Sequence, residues 1–236
     1  MEEHVKGNGV PCLTMGDREQ EEKILQPVAH TLQIPGKQHL VKLASAYNYW
    51  LKVPADKLTV VKDIEHAFHY SLLLIDDIED NSVLRRGIPV AHSIYGVPST
   101  TNASIYLMLK GVKRALSLNH PDAIALCIEQ LLDMYYGQGL EIYWRENNTC
   151  PSFEEYKQLI QRNILRKQTQ DVKLKKHCMT LLEKFGSFSF TRHTLEELDA
   201  EARAEIAKHG GNPVLENVLN EMLDWKKNRD DKNPEQ

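Results

Sequence analysis

Six charged residues crowd into the eleven positions from Asp76 to Arg86. Asp76, Asp77, Glu79 and Asp80 come straight after the apolar run SLLLI, and Arg85 and Arg86 close the stretch. On a helix, Asp76 and Asp80 lie one turn apart on one face with Asp77 flanking them. Like charges so placed repel, so the arrangement costs stability unless a cation lies between them. Carboxylate oxygens are hard ligands suited to Mg²⁺, which keeps several waters and shares its shell with substrate phosphates. The two guanidinium forks match phosphate oxygens. A metal-bridged diphosphate is the ligand that needs acid and base at one spot. His69 lies two turns before Asp76 on roughly the same face, placed to donate to the same anion.

Plainer readings compete with this one. A run of acids is commonly a solvated helix end. An EF-hand is disfavoured, because Ile78 occupies the third position and the sixth is not glycine. His66 and His69 beside Glu65 have metal-ligand spacing, yet half-buried helix histidines with no metal are the commoner case. The Arg-Arg-Gly that follows tips the balance toward diphosphate.

The elements that must position these groups are helical. Leu40, Leu43, Ala44 and Tyr47 recur at three-and-four spacing, and Val61, Ile64, Phe68, Leu72 and Ile75 carry the rhythm into the acidic cluster. Gly87 to Pro89 and Gly96 to Pro98 are expected to form a loop. Ile105, Met108, Val112, Ala115 and Leu116 give another helix, and Pro121 opens one that runs to about Trp144. Ser152 with Glu155 makes a capping box. Further helices run from near Asp171 to Gly186, from about Thr191 to Lys208, and onward from Pro213. Neither an alternating strand pattern nor an internal repeat is legible. The expected class is all-α, a helical bundle.

Composition narrows the rest. The 236 residues suffice for one large domain or two small ones. A net charge of −4, from 29 basic and 33 acidic residues, provides no basic field for nucleic acid. Cys12, Cys127, Cys150 and Cys178 lack CxxC spacing, which fits reduced thiols and a cytoplasmic location. The start MEEHVKGNG has no apolar core of a signal peptide, and LLLI is too short to span a bilayer. The expected organisation is a flexible tail over 1–20, the first part of the bundle over 21–162, its C-terminal helices over 163–228, and a charged tail over 229–236.

Longer words of the sequence carry a resemblance. LLIDDIEDNSVLRRGIPVAHSIYGVPS, GQGLEIYWRENNTCP with EEYK behind it, IPGKQ, and HCMTLLEKFGSFSFTRHTLEELDAEA followed by GGNP resemble the trans-isoprenyl diphosphate synthases. Among them the chain is most similar to the geranylgeranyl-diphosphate-forming members from animals. The resemblance implies helices around a central cavity, with two aspartate-rich motifs facing each other across its mouth. It implies a prenyltransferase that condenses isopentenyl diphosphate with an allylic diphosphate such as farnesyl diphosphate, with Mg²⁺ as cofactor. By position, Asp76, Asp77 and Asp80 would be the first metal-binding motif, and Arg85 would hold the allylic diphosphate. Lys37, His69 and Arg86 would hold isopentenyl diphosphate, and Gly36 would let the backbone come close. Gln138 would sit near the reacting ends, with Glu141 where the family usually has aspartate. Ser71, five positions before Asp76, is small where short-chain members place an aromatic, which fits a long product tunnel.

Two departures stand against the pattern. Leu40 occupies the place of an arginine expected four residues after Gly36, and neighbouring His39 replaces it only in part. After EEYKQLIQ the sequence passes directly to RNILRKQTQDVKLKKHC, which resembles the family's C-terminal portion. No DDxxD follows residue 80, and Asp230-Asp231 lies in the charged tail. The basic cluster of Arg162, Arg166, Lys167, Lys173, Lys175 and Lys176 reads as a solvated helix face. The resemblance therefore implies a bundle missing its central portion and second motif. Two functions follow as expectations: a geranylgeranyl diphosphate synthase-like prenyltransferase, or an inactive variant that binds diphosphate or serves as a regulatory subunit of a full-length synthase. Turnover by the isolated chain is expected to be essentially absent. Homo-oligomers, or hetero-oligomers with a full-length synthase, are the expected assemblies.

Overall fold

The computed structural model describes residues 15–34, 36–149, 151–152, 176, 180, 183–184 and 186–223. Among them, regular structure is almost wholly helical: α1 (Met15–Ile24), α2 (Gln26–Leu32), α3 (His39–Leu51), α4 (Ala55–Glu79), α5 (Ala91–Tyr95), α6 (Val97–Ala115), α7 (Pro121–Glu146), α8 (Ser187–Lys208) and α9 (Pro213–Met222). Two strands of two residues each, β1 (Leu84–Arg85) and β2 (Ile88–Pro89), form an antiparallel hairpin. The all-α class read from the helical periodicity holds. Several local readings need correction. Helix α1 starts at Met15, inside the stretch expected to be a loose tail. Gly87 to Pro89 belongs to the hairpin, and Gly96 to Pro98 is a helix start. Pro98 stands at the second position of α6, where its missing N–H is no loss. Glu155 of the expected capping box and most of the helix from near Asp171 and of the basic cluster lie outside the described residues; exposed Lys176, Thr180, Glu183 and Lys184 are helical, and Gly186, with φ 74°, donates its N–H to the Glu183 carbonyl at 3.0 Å.

Contacts divide the chain into two compact units, Met1–Ile34 with Tyr70–Met108, and Pro35–His69 with Leu109–Gln236; α4 and α6 pass from one to the other. In the first unit, Val28, Tyr70, Leu74, Ala91 and Ala103 form the core, with Leu25, Leu73, Tyr95 and Leu107 packed on it. Small residues let α4 and α6 approach closely here. Ser71, Thr100, Ala103 and Ser104 are fully buried, and the Ser104 hydroxyl donates to the Ser71 carbonyl at 2.7 Å. Ser71 is thus part of a tight helix contact. A His30 ring nitrogen lies 2.8 Å from the Pro89 carbonyl oxygen, tying α2 to the hairpin.

In the second unit, Ala46, Ile206 and Leu215 join α3, α8 and α9, with Leu43, Trp50 and Leu219 around them. Buried Asn212 caps α9 by accepting from the Leu215 N–H at 3.0 Å while donating to the Ala46 carbonyl at 2.8 Å. Another cluster gathers Val60, Ile64 and Ala115 with Phe68, Leu118, Ile124 and Cys127. Gly111 is required there, since a Cβ would stand 2.7 Å from the Phe68 ring.

Candidate functional site

The acidic run occupies the last turn of α4 and the residue after it. That helix stops by a defined device. Asn81 adopts a left-handed conformation (φ 49°), its N–H donates to the Ile78 carbonyl at 3.1 Å, and the Ser82 N–H donates to the Asp77 carbonyl at 2.9 Å. Those two bonds are the Schellman pattern, which satisfies carbonyls a helix end leaves open. It also turns the chain sharply, so residues after Ser82 double back alongside the carboxylates.

The doubling back is completed by the hairpin. Leu84 pairs with Pro89 and Arg85 with Ile88, leaving Arg86 and Gly87 as a two-residue turn. Both have positive φ, 55° and 86°, the pattern of a type I′ turn. Asparagine or glycine suits the first of these positions; arginine carries a steric cost there. Arg86 also donates from Nη1 to the Ile34 carbonyl at 2.5 Å.

Arg85 faces the helix end. Its Nε donates to Asp77 Oδ1 at 2.9 Å. Its Nη2 donates to Asp77 Oδ1 at 2.7 Å and to Asp76 Oδ2 at 2.6 Å. Asp77 is buried, with 2% of its surface exposed, and 19% of the Arg85 side chain is exposed. Burial disfavours the guanidinium charge, but the hydrogen bonds and charges of Asp77 and then Asp76 outweigh it and hold Arg85 above its ordinary value. The electrostatic reason is direct. A helix C-terminus carries partial negative charge, and α4 has no basic residue in its last turn. Carboxylates added there require a cation.

Whether a divalent cation fits can be judged from this geometry. Oxygens of Asp76 and Asp77 already converge on one cationic nitrogen. Hard oxygen donors converging on a point suit Mg²⁺. The convergence involves two carboxylates: among the described residues, no three His, Cys, Asp or Glu side chains close on a common point. Asp80, expected as the third ligand, follows the last helical residue, with its amide donating to the Asp76 carbonyl at 2.9 Å.

The remaining expected residues belong to the second unit. Half-buried Gly36 and exposed Lys37 lie in the short segment before α3. Leu40 is 47% exposed on the first turn of that helix, so an arginine there would meet no packing obstacle. His69 is half-buried on α4, and Gln138 is half-buried on α7. Glu141 accepts from Arg145 Nη1 at 2.8 Å, one turn along α7. Of the expected residues the structure brings together Asp76, Asp77 and Arg85, and the sequence reading missed that both carboxylates accept from Arg85. The signal was the Arg-Gly turn, which returns the chain beside the helix end.

The family model for polyprenyl synthetases matches residues 21–181. A terpene synthase from Matsumurasca onukii is 43% identical over 291 aligned positions, covering 89% of this chain and 96% of that protein. A geranylgeranyl pyrophosphate synthase from Mucor circinelloides f. lusitanicus is 29% identical over 284, covering 86% and 94%. One from Aspergillus flavus is 45% identical over 141, covering 59% and 42%. The chain belongs to the polyprenyl synthetase family. Both long alignments exceed the 236 residues of the chain, so those relatives carry residues with no counterpart here. Among the described residues, no helix is long and apolar enough to cross a membrane.

Proposed function

We propose that the chain is a prenyltransferase of the geranylgeranyl diphosphate synthase type, joining isopentenyl diphosphate to an allylic diphosphate such as farnesyl diphosphate. The observation that carries this is the convergence of Asp76, Asp77 and Arg85 at the end of α4, next to a turn that presents Arg86. Asp76 and Asp77, with Asp80 following, would hold Mg²⁺, which when bound supplies charge stabilisation for a departing diphosphate. Arg85 and Arg86 offer planar forks to the diphosphate oxygens. Lys37, His69, Gly36 and Gln138 are the further substrate contacts in this reading. Names of the relatives favour a synthase over a purely regulatory subunit.

The unmatched length of the relatives supports the reading that a central segment, with the second aspartate-rich motif, is absent after Gln161. Losing one donor of transition-state charge stabilisation typically costs ~10²–10³ in rate, so turnover should fall at least that far below a relative that has the segment. Association with another copy or a longer relative is supported by exposed Ile128, Leu132, Tyr136 and Tyr143 on α7. The cytoplasmic location rests on the cysteine pattern.

The test is radiolabelled isopentenyl diphosphate with farnesyl diphosphate and Mg²⁺, alone and after co-expression with a full-length synthase. Slow geranylgeranyl diphosphate formation abolished by Asp76→Ala supports the reading. No product above the Asp76→Ala background from the isolated chain, together with a stable complex with the longer protein, would replace it with the regulatory one.

A further inference from the structure

We draw no further inference here: the strongest candidate, the exposed apolar stripe of Ile128, Leu132, Tyr136 and Tyr143 along α7, belongs to the association already proposed, and nothing among the described residues shows which partner would cover it.

Discussion

At the end of α8 the chain places Lys208 and His209 ahead of Gly210 and Gly211; at the end of α4 it places Asp76, Asp77, Glu79 and Asp80 ahead of Asn81. The backbone solution is the same. The Gly210 N–H donates to the Ala207 carbonyl at 3.1 Å and the Gly211 N–H to the Ile206 carbonyl at 2.9 Å, the same pair of bonds that closes α4. The chemistry is opposite. The end of helix α8 has basic Lys208 and His209 at the negative end of the helix, both beside Glu205, and glycine where φ is positive. Helix α4 reverses the first and has asparagine in place of glycine at the second, and the next turn adds an arginine at positive φ. Stability alone selects an end like that of α8. Departures concentrated on one helix end and its adjoining turn are what the proposed site would require, with ligand chemistry taking precedence over local preference.

The largest expected effect breaks the α4 end at its buried member. Asp77→Ala leaves the Arg85 guanidinium buried without its main partner, and should destabilise the protein by about 3–5 kcal/mol. The matched change in α8, Asp199→Ala, removes a carboxylate 3.0 Å from Arg203 in a more exposed pair and should cost about 1 kcal/mol or less. Urea unfolding followed by circular dichroism measures both. Alkaline pH sharpens the test. Because Arg85 is held above its ordinary value, its stabilising contribution is fully present below that ordinary value and is lost only as pH rises through the higher folded one. The Asp77→Ala penalty should therefore be constant between about pH 7 and 10. A penalty that shrinks over that range would assign the stabilisation to some other group.

Next in size is a pair of effects with opposite signs. Arg86→Gly removes a non-glycine residue from φ 55° and should stabilise the fold by about 1 kcal/mol, after the greater freedom of glycine in the unfolded chain is discounted. The same change removes a guanidinium from the proposed anion site, and should weaken Mg²⁺-dependent farnesyl diphosphate binding about tenfold or more. Calorimetric titration with and without Mg²⁺ reads the second effect, thermal unfolding the first. Loss of stability together with unchanged binding would make Arg86 a structural residue, anchored only through the Ile34 carbonyl.

A comparable gain is expected in the other unit. Leu40→Arg, at an exposed position on α3, should strengthen isopentenyl diphosphate binding about tenfold, by supplying a charge-assisted hydrogen bond. No gain would show that the segment from Gly36 to Leu40 does not meet that substrate.

The periodic part of this architecture was legible and the doubled-back part was not. Helices α3, α4, α7 and α9 announce themselves through apolar spacing and through Pro121 and Pro213 at their starts. Two-residue strands are too short to show alternation, and Arg-Gly is an unusual occupant of a type I′ turn. Gly96-Val97-Pro98 looks like a loop until Pro98 is seen as a helix-start residue. For the site, residue types alone directed the carboxylates to a metal and the arginines to phosphate. That Asp76 and Asp77 take Arg85 depends on the Schellman turn at Asn81 followed by the hairpin, a geometric consequence that side-chain chemistry does not contain.

The smallest effect compares the two left-handed residues directly. Gly210→Ala, at φ 84° with open space around a new Cβ, meets only the backbone penalty and should cost about 1 kcal/mol. Asn81→Gly runs the other way, giving α4 the residue that α8 already has. Asparagine tolerates positive φ better than other side chains, and glycine loses more entropy on folding, so the gain should be about 0.5 kcal/mol or less. The value of the measurement lies in what accompanies it. Asn81 sets the turn that brings Arg85 back to Asp76 and Asp77, and glycine preserves the turn while widening the conformations available to it. If that turn serves only to end the helix, Asp77→Ala should cost the same with and without the glycine. If it holds the hairpin against the carboxylates, loosening it should weaken the Arg85 bridge and lower that cost by about 0.5 kcal/mol, a small fraction of the cost itself. A higher cost would mean that glycine lets the guanidinium seat more closely on Asp77 than asparagine does.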